Sequence, residues 1–163
     1  MLERVKSFRV SDAVAAQNDK LLQSFGITHI ANAAVNDGVG VVFPEKLDYH
    51  CVALDDSSDG DIESALPPSA SFIHAALAHS EASHVFVHCK VGTRRSASIV
   101  MFYLMDKHGF SSRGALSLIL WGNVRAIQRR TPTWGLCPPA PPTFKRGARP
   151  FKPEQVTGGE LAR

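Results

Sequence analysis

The chain has 163 residues, 44% of them hydrophobic, which is enough for one domain with a single core. It contains no run of about eighteen apolar residues, and its start, MLERVKSFRV, lacks the apolar block of a signal peptide, so we expect a soluble protein that is not secreted. Three widely spaced cysteines exclude a disulfide scaffold and favour a reducing compartment, the cytosol or the nucleus.

The net charge of +3 is unevenly distributed. Residues 1–127 contain 11 Lys and Arg against 13 Asp and Glu, whereas residues 128–163 contain 7 against 2. The basic excess therefore belongs to the last segment, and two interpretations are open: the segment contacts nucleic acid, acidic lipid or an acidic partner, or it is simply solvated. Of these partners, we expect neither a nucleic acid nor a membrane.

The first part of the chain has the pattern of an α/β fold. Residues 5–10 suit an edge strand, and Asn18 and Asp19 suit the start of a short helix that ends at Gly26. Residues 27–32 follow as a strand, and residues 36–46 form a loop with two glycines and a proline. Helix, glycine and strand in succession are typical of α/β proteins.

Residues 49–54 are predicted to be the next strand, and a polar loop with four carboxylates follows it. Two interpretations of Asp55, Asp56, Asp59 and Asp61 are open. They are a solvated turn in which Asp59 or Asp61 caps a helix, or one of them is a general acid. Crowding among carboxylates raises the pKa of a carboxyl group, which would keep a proton available near neutral pH. Cys51, on the strand before this loop, is expected to be a buried small apolar residue, the alternative being a resolving thiol.

Pro67 and Pro68 predict the end of one helix and the start of another, whose apolar face carries Phe72, Ile73, Ala76 and Leu77. A turn follows near residues 81–84. The histidines in this part of the chain lack metal-ligand spacing, so we expect no metal site.

Residues 85–98 read VFVHCKVGTRRSAS and predict a buried strand, a short loop and a helix. If the loop curls, the backbone amides after Cys89 converge on one point, and the helix N-terminus adds partial positive charge there. This field would hold a phosphate, and it would also favour the thiolate of Cys89, a nucleophile. Arg95 can grip two oxygens of a transferring phosphoryl group with its planar fork. Gly92 supplies the backbone freedom of a tight loop.

The sequence HCKVGTRRS resembles the His-Cys-x-x-Gly-x-x-Arg-Ser signature of the cysteine-dependent protein tyrosine phosphatase superfamily. The Ser-Ala-Ser that follows, and SFGITHIANAA near residue 30, are similar to its atypical dual-specificity branch. A buried structural thiol would leave the glycine and two adjacent arginines unexplained. The resemblance covers residues 8–127.

The resemblance implies roles for individual residues. Cys89 is the nucleophile, Arg95 binds phosphate, and His88 supports the loop. Asp56 is implied as general acid, with Asp55 as the runner-up, and Ser96 as the residue that assists the thiolate as leaving group. The implied phosphate-binding loop comprises Lys90, Val91, Gly92, Thr93 and Arg94.

Arg94 departs from the family, which usually has a small residue there. An outward Arg94 would extend a basic rim that favours acidic or multiply phosphorylated substrates, whereas an inward one would compete with the phosphate site. The pair of lysines typical of inositol-lipid phosphatases is absent, because Thr93 stands in the second place.

A buried helix is predicted from Arg95 to about Lys107 and ends at Gly109, and Ser111 and Ser112 cap a further helix. We therefore predict an α/β fold with a small, mostly parallel central sheet flanked by helices, as in dual-specificity phosphatases. Residues 1–127 would form the catalytic domain. Residues 128–163, rich in Pro, Gly and Arg, lack the family's closing helix and would be an extended or disordered tail, either a plain linker or a ligand for an SH3-like partner.

The resemblance implies a phosphatase that hydrolyses phosphotyrosine and phosphoserine or phosphothreonine in proteins, with a cysteinyl-phosphate intermediate and no metal or other cofactor. The alternative is a weakly active or inactive phosphatase-like module that binds phosphorylated partners. A rhodanese-like enzyme does not require the Arg-Ser ending, and low-molecular-weight phosphatases carry their loop near the N-terminus.

Overall fold

The fold is that of a computed structural model, which describes residues 7–54 and 61–120. Its strands are β1 (Phe8–Ser11), β2 (His29–Asn32), β3 (Asp48–Cys51) and β4 (Val85–His88). Its α-helices are α1 (Ala13–Ala16), α2 (Asp19–Ser24), α3 (Ile62–His79), α4 (Arg95–His108) and α5 (Ser112–Leu120).

The four strands form one sheet in the order β1-β4-β2-β3, and every neighbouring pair is parallel. β4, the strand that leads to Cys89, is flanked by β1 and β2. Ser11 and Asn32 both lie beside His88 in the strand register. The carboxyl ends of three strands therefore meet at one edge of the sheet, which is where α/β proteins bind ligands.

Alternating side chains of β4 enter two different cores. Val85 and Val87 belong to a core shared with α3, α4 and α5, whereas Phe86 packs with Ile30 and the α1–α2 region on the opposite face. Because both faces of the strand are covered, its sequence is apolar at every position up to His88. The prediction of a parallel α/β sheet with helices on both faces is confirmed.

Helix α4 gives the loop after β4 a rigid base. Its apolar positions Ile99, Val100, Tyr103 and Leu104 are buried. The Tyr103 ring meets the edge of the Phe8 ring on β1, with 5.9 Å between centroids. The helix ends at Gly109, whose φ of 67° is a left-handed conformation that glycine adopts at low cost, as predicted.

The prediction that Pro67 and Pro68 separate two helices is wrong. α3 is one helix of 18 residues that runs through both prolines. The Asp61 side chain caps it by accepting a hydrogen bond from the Ser64 amide at 3.1 Å. Each proline removes one donor near the start of the helix, but the buried face that follows, including Ile73 and Leu77, packs into the main core. Tertiary packing therefore overrides the local preference to break.

Three local features differ from the sequence expectations. The short helix α1 was not predicted. A 3₁₀ helix at Val35–Asp37 overlaps the start of the loop that was predicted for residues 36–46. Cys51 is exposed, contrary to the expected buried position, because β3 is an edge strand of the sheet. The exposure of Cys51 depends on which strands are neighbours, which local patterns do not specify, whereas α1 begins at a local signal, the Asp12 side chain that accepts from the Ala15 amide at 2.9 Å.

The predicted tail at residues 128–163, and the boundary after residue 127, lie outside the described residues. Within residues 7–54 and 61–120, none of the helices combines the length and the apolar character that crossing a membrane requires.

Candidate active site

The loop from Cys89 to Arg94 joins the central strand to α4 and folds back on the thiol of Cys89. The Gly92 amide donates a hydrogen bond to Cys89 Sγ at 3.1 Å. Gly92 has a φ of 81°, and a Cβ atom there would lie 2.6 Å from the carbonyl carbon of Ser11. The Lys90 carbonyl accepts from the Ala13 amide at 3.3 Å. The loop therefore rests on the junction between β1 and α1, and only glycine fits at position 92.

Cys89 is buried, with 2% of its surface exposed, and its pKa lies below the ordinary value for a thiol. Burial is the largest single influence and by itself raises the pKa, because it disfavours the charged form. Hydrogen bonds from the Ser96 hydroxyl and from the amides of Ser96, Gly92 and Val91 outweigh it. The Ser96 Oγ atom is 3.4 Å from Cys89 Sγ. These donors stabilise the thiolate, the nucleophilic form.

Arg95 is the first residue of α4, and its guanidinium is held by groups from two other strand ends. Nη1 donates to the carbonyl oxygens of Ala33 and Leu54, both at 2.9 Å. Nη2 lies 2.7 Å from Asp37 Oδ2. Only 4% of Arg95 is exposed. The plane of its fork is therefore fixed beside the loop, as bidentate recognition of phosphate oxygens requires.

The outer side of the loop carries exposed residues. Lys90, Val91, Thr93 and Arg94 are exposed, and 63% of Val91 is accessible. Arg94 therefore takes the outward of its two predicted positions. Lys90 and Arg94 place positive charge on the rim, while Arg95 lies beneath it.

His88, the predicted supporting residue, is buried at the end of β4, with 1% of its surface exposed. Burial lowers its pKa to about 4, against smaller opposing effects of the Cys89 backbone and the Asp12 charge. The ring is therefore neutral at neutral pH. Its Nδ1 atom has no hydrogen-bond partner among the residues that the structure describes.

The predicted general acid, Asp56, and its runner-up, Asp55, lie outside the described residues, as does Asp59. The chain reaches this segment at Leu54, whose carbonyl accepts the hydrogen bond from Arg95. Asp61 is an exposed helix cap, and hydrogen bonds from Ser64 hold its pKa below the usual value. Of the four carboxylates, Asp61 therefore fits the capping interpretation.

Asp37 is the residue of this site that sequence reasoning missed. It lies on the 3₁₀ helix after β2, with its side chain 14% exposed, and contacts both Arg95 and Lys90. The available signal was its position: β2 was predicted to be a strand, and a carboxylate shortly after a strand lies near the ligand-binding edge of a parallel sheet. The pairing with Arg95 itself joins residues 58 positions apart in the chain.

Among the described residues, no group of three or more His, Cys, Asp or Glu side chains is arranged to hold a metal ion. The donors around Cys89 are backbone amides and a hydroxyl, and the guanidinium of Arg95 follows at the start of α4. Such donors bind and stabilise anions, and an oxyanion with tetrahedral geometry is the ligand that suits them.

Comparison with known proteins gives a consistent result. Residues 10–134 match the family model for "Dual specificity phosphatase, catalytic domain". The chain is 34% identical over 107 residues to Dual specificity protein phosphatase 1 of Arabidopsis thaliana, which covers 66% of this chain and 52% of that protein. It is 36% identical over 104 residues to human Dual specificity protein phosphatase 13B, covering 61% and 52%. The chain thus spans about half the length of these curated relatives.

Solved structures show the same fold. The crystal structure of human DUSP28 aligns with a TM-score of 0.65 at 23% identity, covering 78% of this chain and 85% of that chain. The human tyrosine phosphatase-like serine/threonine/tyrosine-interacting protein aligns with a TM-score of 0.61 at 26% identity, covering 73% and 78%.

Proposed function

We propose that this chain, which belongs to the dual specificity phosphatase catalytic-domain family, is a protein phosphatase. It hydrolyses phosphotyrosine and phosphoserine or phosphothreonine in proteins. The observation that carries the proposal is the thiol of Cys89, which is surrounded by donors that favour its ionised form. Arg95 is fixed at the other end of the same loop. A nucleophile and an anion-binding fork six residues apart form a site for phosphoryl transfer.

In the first step, the Cys89 thiolate attacks phosphorus, so that an S–P bond forms and the bond from phosphorus to the substrate oxygen breaks. The amides of the loop and Arg95 stabilise the charge on the three equatorial oxygens. Asp56 gives its proton to the departing oxygen. That proton matters because an unprotonated serine or threonine alkoxide is a very poor leaving group.

In the second step, water attacks the cysteinyl-phosphate. Asp56, now ionised, accepts a proton from the water as the new P–O bond forms and the S–P bond breaks. The Cys89 thiolate leaves, and the hydroxyl of Ser96, which lies 3.4 Å from Sγ, stabilises it. Inorganic phosphate departs, and no metal takes part in this scheme.

The test is hydrolysis of a nitrophenyl phosphate and of matched phosphotyrosine and phosphothreonine peptides by the full chain. We expect Cys89→Ser to abolish turnover, because serine is not ionised by these donors. Orthovanadate should inhibit the unmodified protein. Turnover that survives in Cys89→Ser would defeat the mechanism, and a protein that binds phosphopeptides without turnover would instead be a binding module.

The acid assignment has its own test. Asp56→Asn should lower kcat by about 100-fold on the phosphothreonine peptide and clearly less on nitrophenyl phosphate, whose leaving group needs little protonation. Asp55→Asn is the matched control. A larger loss in Asp55→Asn than in Asp56→Asn would transfer the role to Asp55.

The exposed positive charge of Lys90 and Arg94 supports a preference for substrates with a second phosphate or acidic residues near the reacting one. A nucleophilic thiol supports work in a reducing compartment, the cytosol or nucleus. The positive charge of the proline-rich segment after residue 127 supports a further part of the proposal, which is that this segment binds a partner.

A further inference from the structure

Asp37 forms a bridge between the two ends of the phosphate loop. Its Oδ2 atom lies 2.7 Å from Nη2 of Arg95, and its Oδ1 atom lies 3.6 Å from Nζ of Lys90. Lys90 directly follows the nucleophile, and Arg95 ends the loop. One carboxylate from the neighbouring strand's loop therefore contacts a cation at either end of the site.

The turn that carries Asp37 is itself held in place. The buried side chain of Asn32, at the end of β2, donates to the Val39 carbonyl at 2.8 Å and accepts from the Ala34 amide at 2.9 Å. The Asp37 amide donates to the Ala34 carbonyl at 3.0 Å. Because Asn32 connects the two sides of the turn, the carboxylate has a fixed position and can determine the position of its partner.

We propose that Asp37 is a positioning residue, which orients the guanidinium of Arg95 for the transition state of phosphoryl transfer. The two Nη1 contacts are hydrogen bonds to neutral carbonyls, whereas Nη2 forms an ion pair with Asp37 Oδ2 at 2.7 Å in nearly buried surroundings, where the attraction between opposite charges is little screened. The inference rests on the proposed function, since it concerns the same reaction.

The charge of Asp37 gives this role a specific kinetic signature. A carboxylate beside Arg95 opposes the binding of an anionic substrate, because it offsets part of the positive charge. Its removal should therefore not weaken ground-state binding through electrostatics. Loss of orientation, in contrast, should weaken the grip on the trigonal phosphoryl group, which exists only in the transition state.

The kinetic test compares Asp37→Asn, which keeps the shape and removes the charge, with Asp37→Ala. We expect kcat to fall by about 10-fold in Asp37→Asn and by about 100-fold in Asp37→Ala, with KM unchanged or lower. The matched control is Asp19→Asn, which removes an exposed carboxylate paired with Lys46 at 2.8 Å and should leave kcat unchanged. A kcat in Asp37→Asn and Asp37→Ala within twofold of the unmodified protein would overturn the proposal, as would a rise in KM with unchanged kcat.

A second measurement tests the ion pair between Asp37 and Arg95 without an activity assay. In NMR spectra of the labelled full chain, the Nη2 hydrogens of Arg95 should exchange with water at least about tenfold faster in Asp37→Asn than in the unmodified protein or Asp19→Asn. Unchanged exchange would overturn the proposal even if kcat fell. If the unmodified protein hydrolyses none of the substrates, the proposed function fails, and the ion pair is then judged by this exchange rate alone.

Discussion

At the scale of single residues, Cys89 shows how hydrogen bonds favour the ionised form of a buried thiol. Burial alone would keep it protonated, and the hydrogen bonds around it reverse that effect. The amides of the loop are fixed by backbone geometry, but the hydroxyl of Ser96 is a side-chain donor that a single substitution removes. Its share of the effect can therefore be measured.

Ser96→Ala should raise the pKa of Cys89. A hydrogen bond to a charged group contributes about 1.5 kcal/mol or more, so the inflection in the pH dependence of Cys89 alkylation by iodoacetamide should move up by about one pH unit. Ser98→Ala, two residues further along α4, is the control. An unchanged inflection in Ser96→Ala would contradict the prediction and show that the backbone amides alone lower the pKa of Cys89.

At the scale of structural elements, the phosphate loop depends on its close packing against the β1–α1 junction. Gly92→Ala combines a positive φ with a Cβ that would lie 2.8 Å from the Asp12 amide nitrogen, so the loop has to shift away from Cys89. We expect kcat/KM to fall by about 100-fold.

Gly109→Ala separates strain from crowding, because Gly109 has a φ of 67° but no atom near its missing Cβ. It should cost about 1 kcal/mol in the free energy of unfolding and leave kcat/KM nearly unchanged, as thermal melts and steady-state assays would reveal. Equal kinetic losses in both variants would mean that the contact with β1 does not shape the loop.

Helix α3 is the element for which local sequence rules failed. A pair of prolines predicts a break, and the structure has a continuous helix. The cap at Asp61 and the packing of the buried residues beyond the prolines stabilise the helix. The cap is a local feature of the sequence, whereas the packing depends on the tertiary structure. The end of α4 at Gly109, in contrast, follows from a local rule and was predicted.

At the scale of the whole molecule, the parallel sheet buries His88 in the interior beneath the site. Its folded pKa of about 4 lies below the ordinary value of 6.5. Between these two values the unfolded chain binds a proton that the folded protein does not. The contribution of neutral His88 to the free energy of unfolding is therefore fully present above about pH 6.5 and is lost as the pH falls toward 4. Burial lowers the pKa of His29 and His50 as well, so they act in the same direction.

We expect the free energy of unfolding to fall by about 3 kcal/mol between pH 6.5 and 4 because of His88. Denaturant titrations at several pH values would measure this fall. His88→Asn, whatever its own stability, should reduce this pH dependence, whereas the exposed His74→Gln should not. The same pH dependence in His88→Asn as in the unmodified protein would contradict the assignment.

The sequence by itself determined the parallel α/β class and the strand-loop-helix unit that carries Cys89 and Arg95, whose catalytic roles stay predictions. These features depend on contiguous patterns: an apolar strand, a glycine in a tight loop and a helix with periodic apolar residues. Asp56 stays a prediction, made by resemblance. Only the tertiary structure brought Asp37, Ala33 and Leu54 to Arg95, exposed Cys51 and kept α3 continuous through its prolines. Each of these depends on which strands are neighbours and on what packs across them, and spacing along the chain does not encode either.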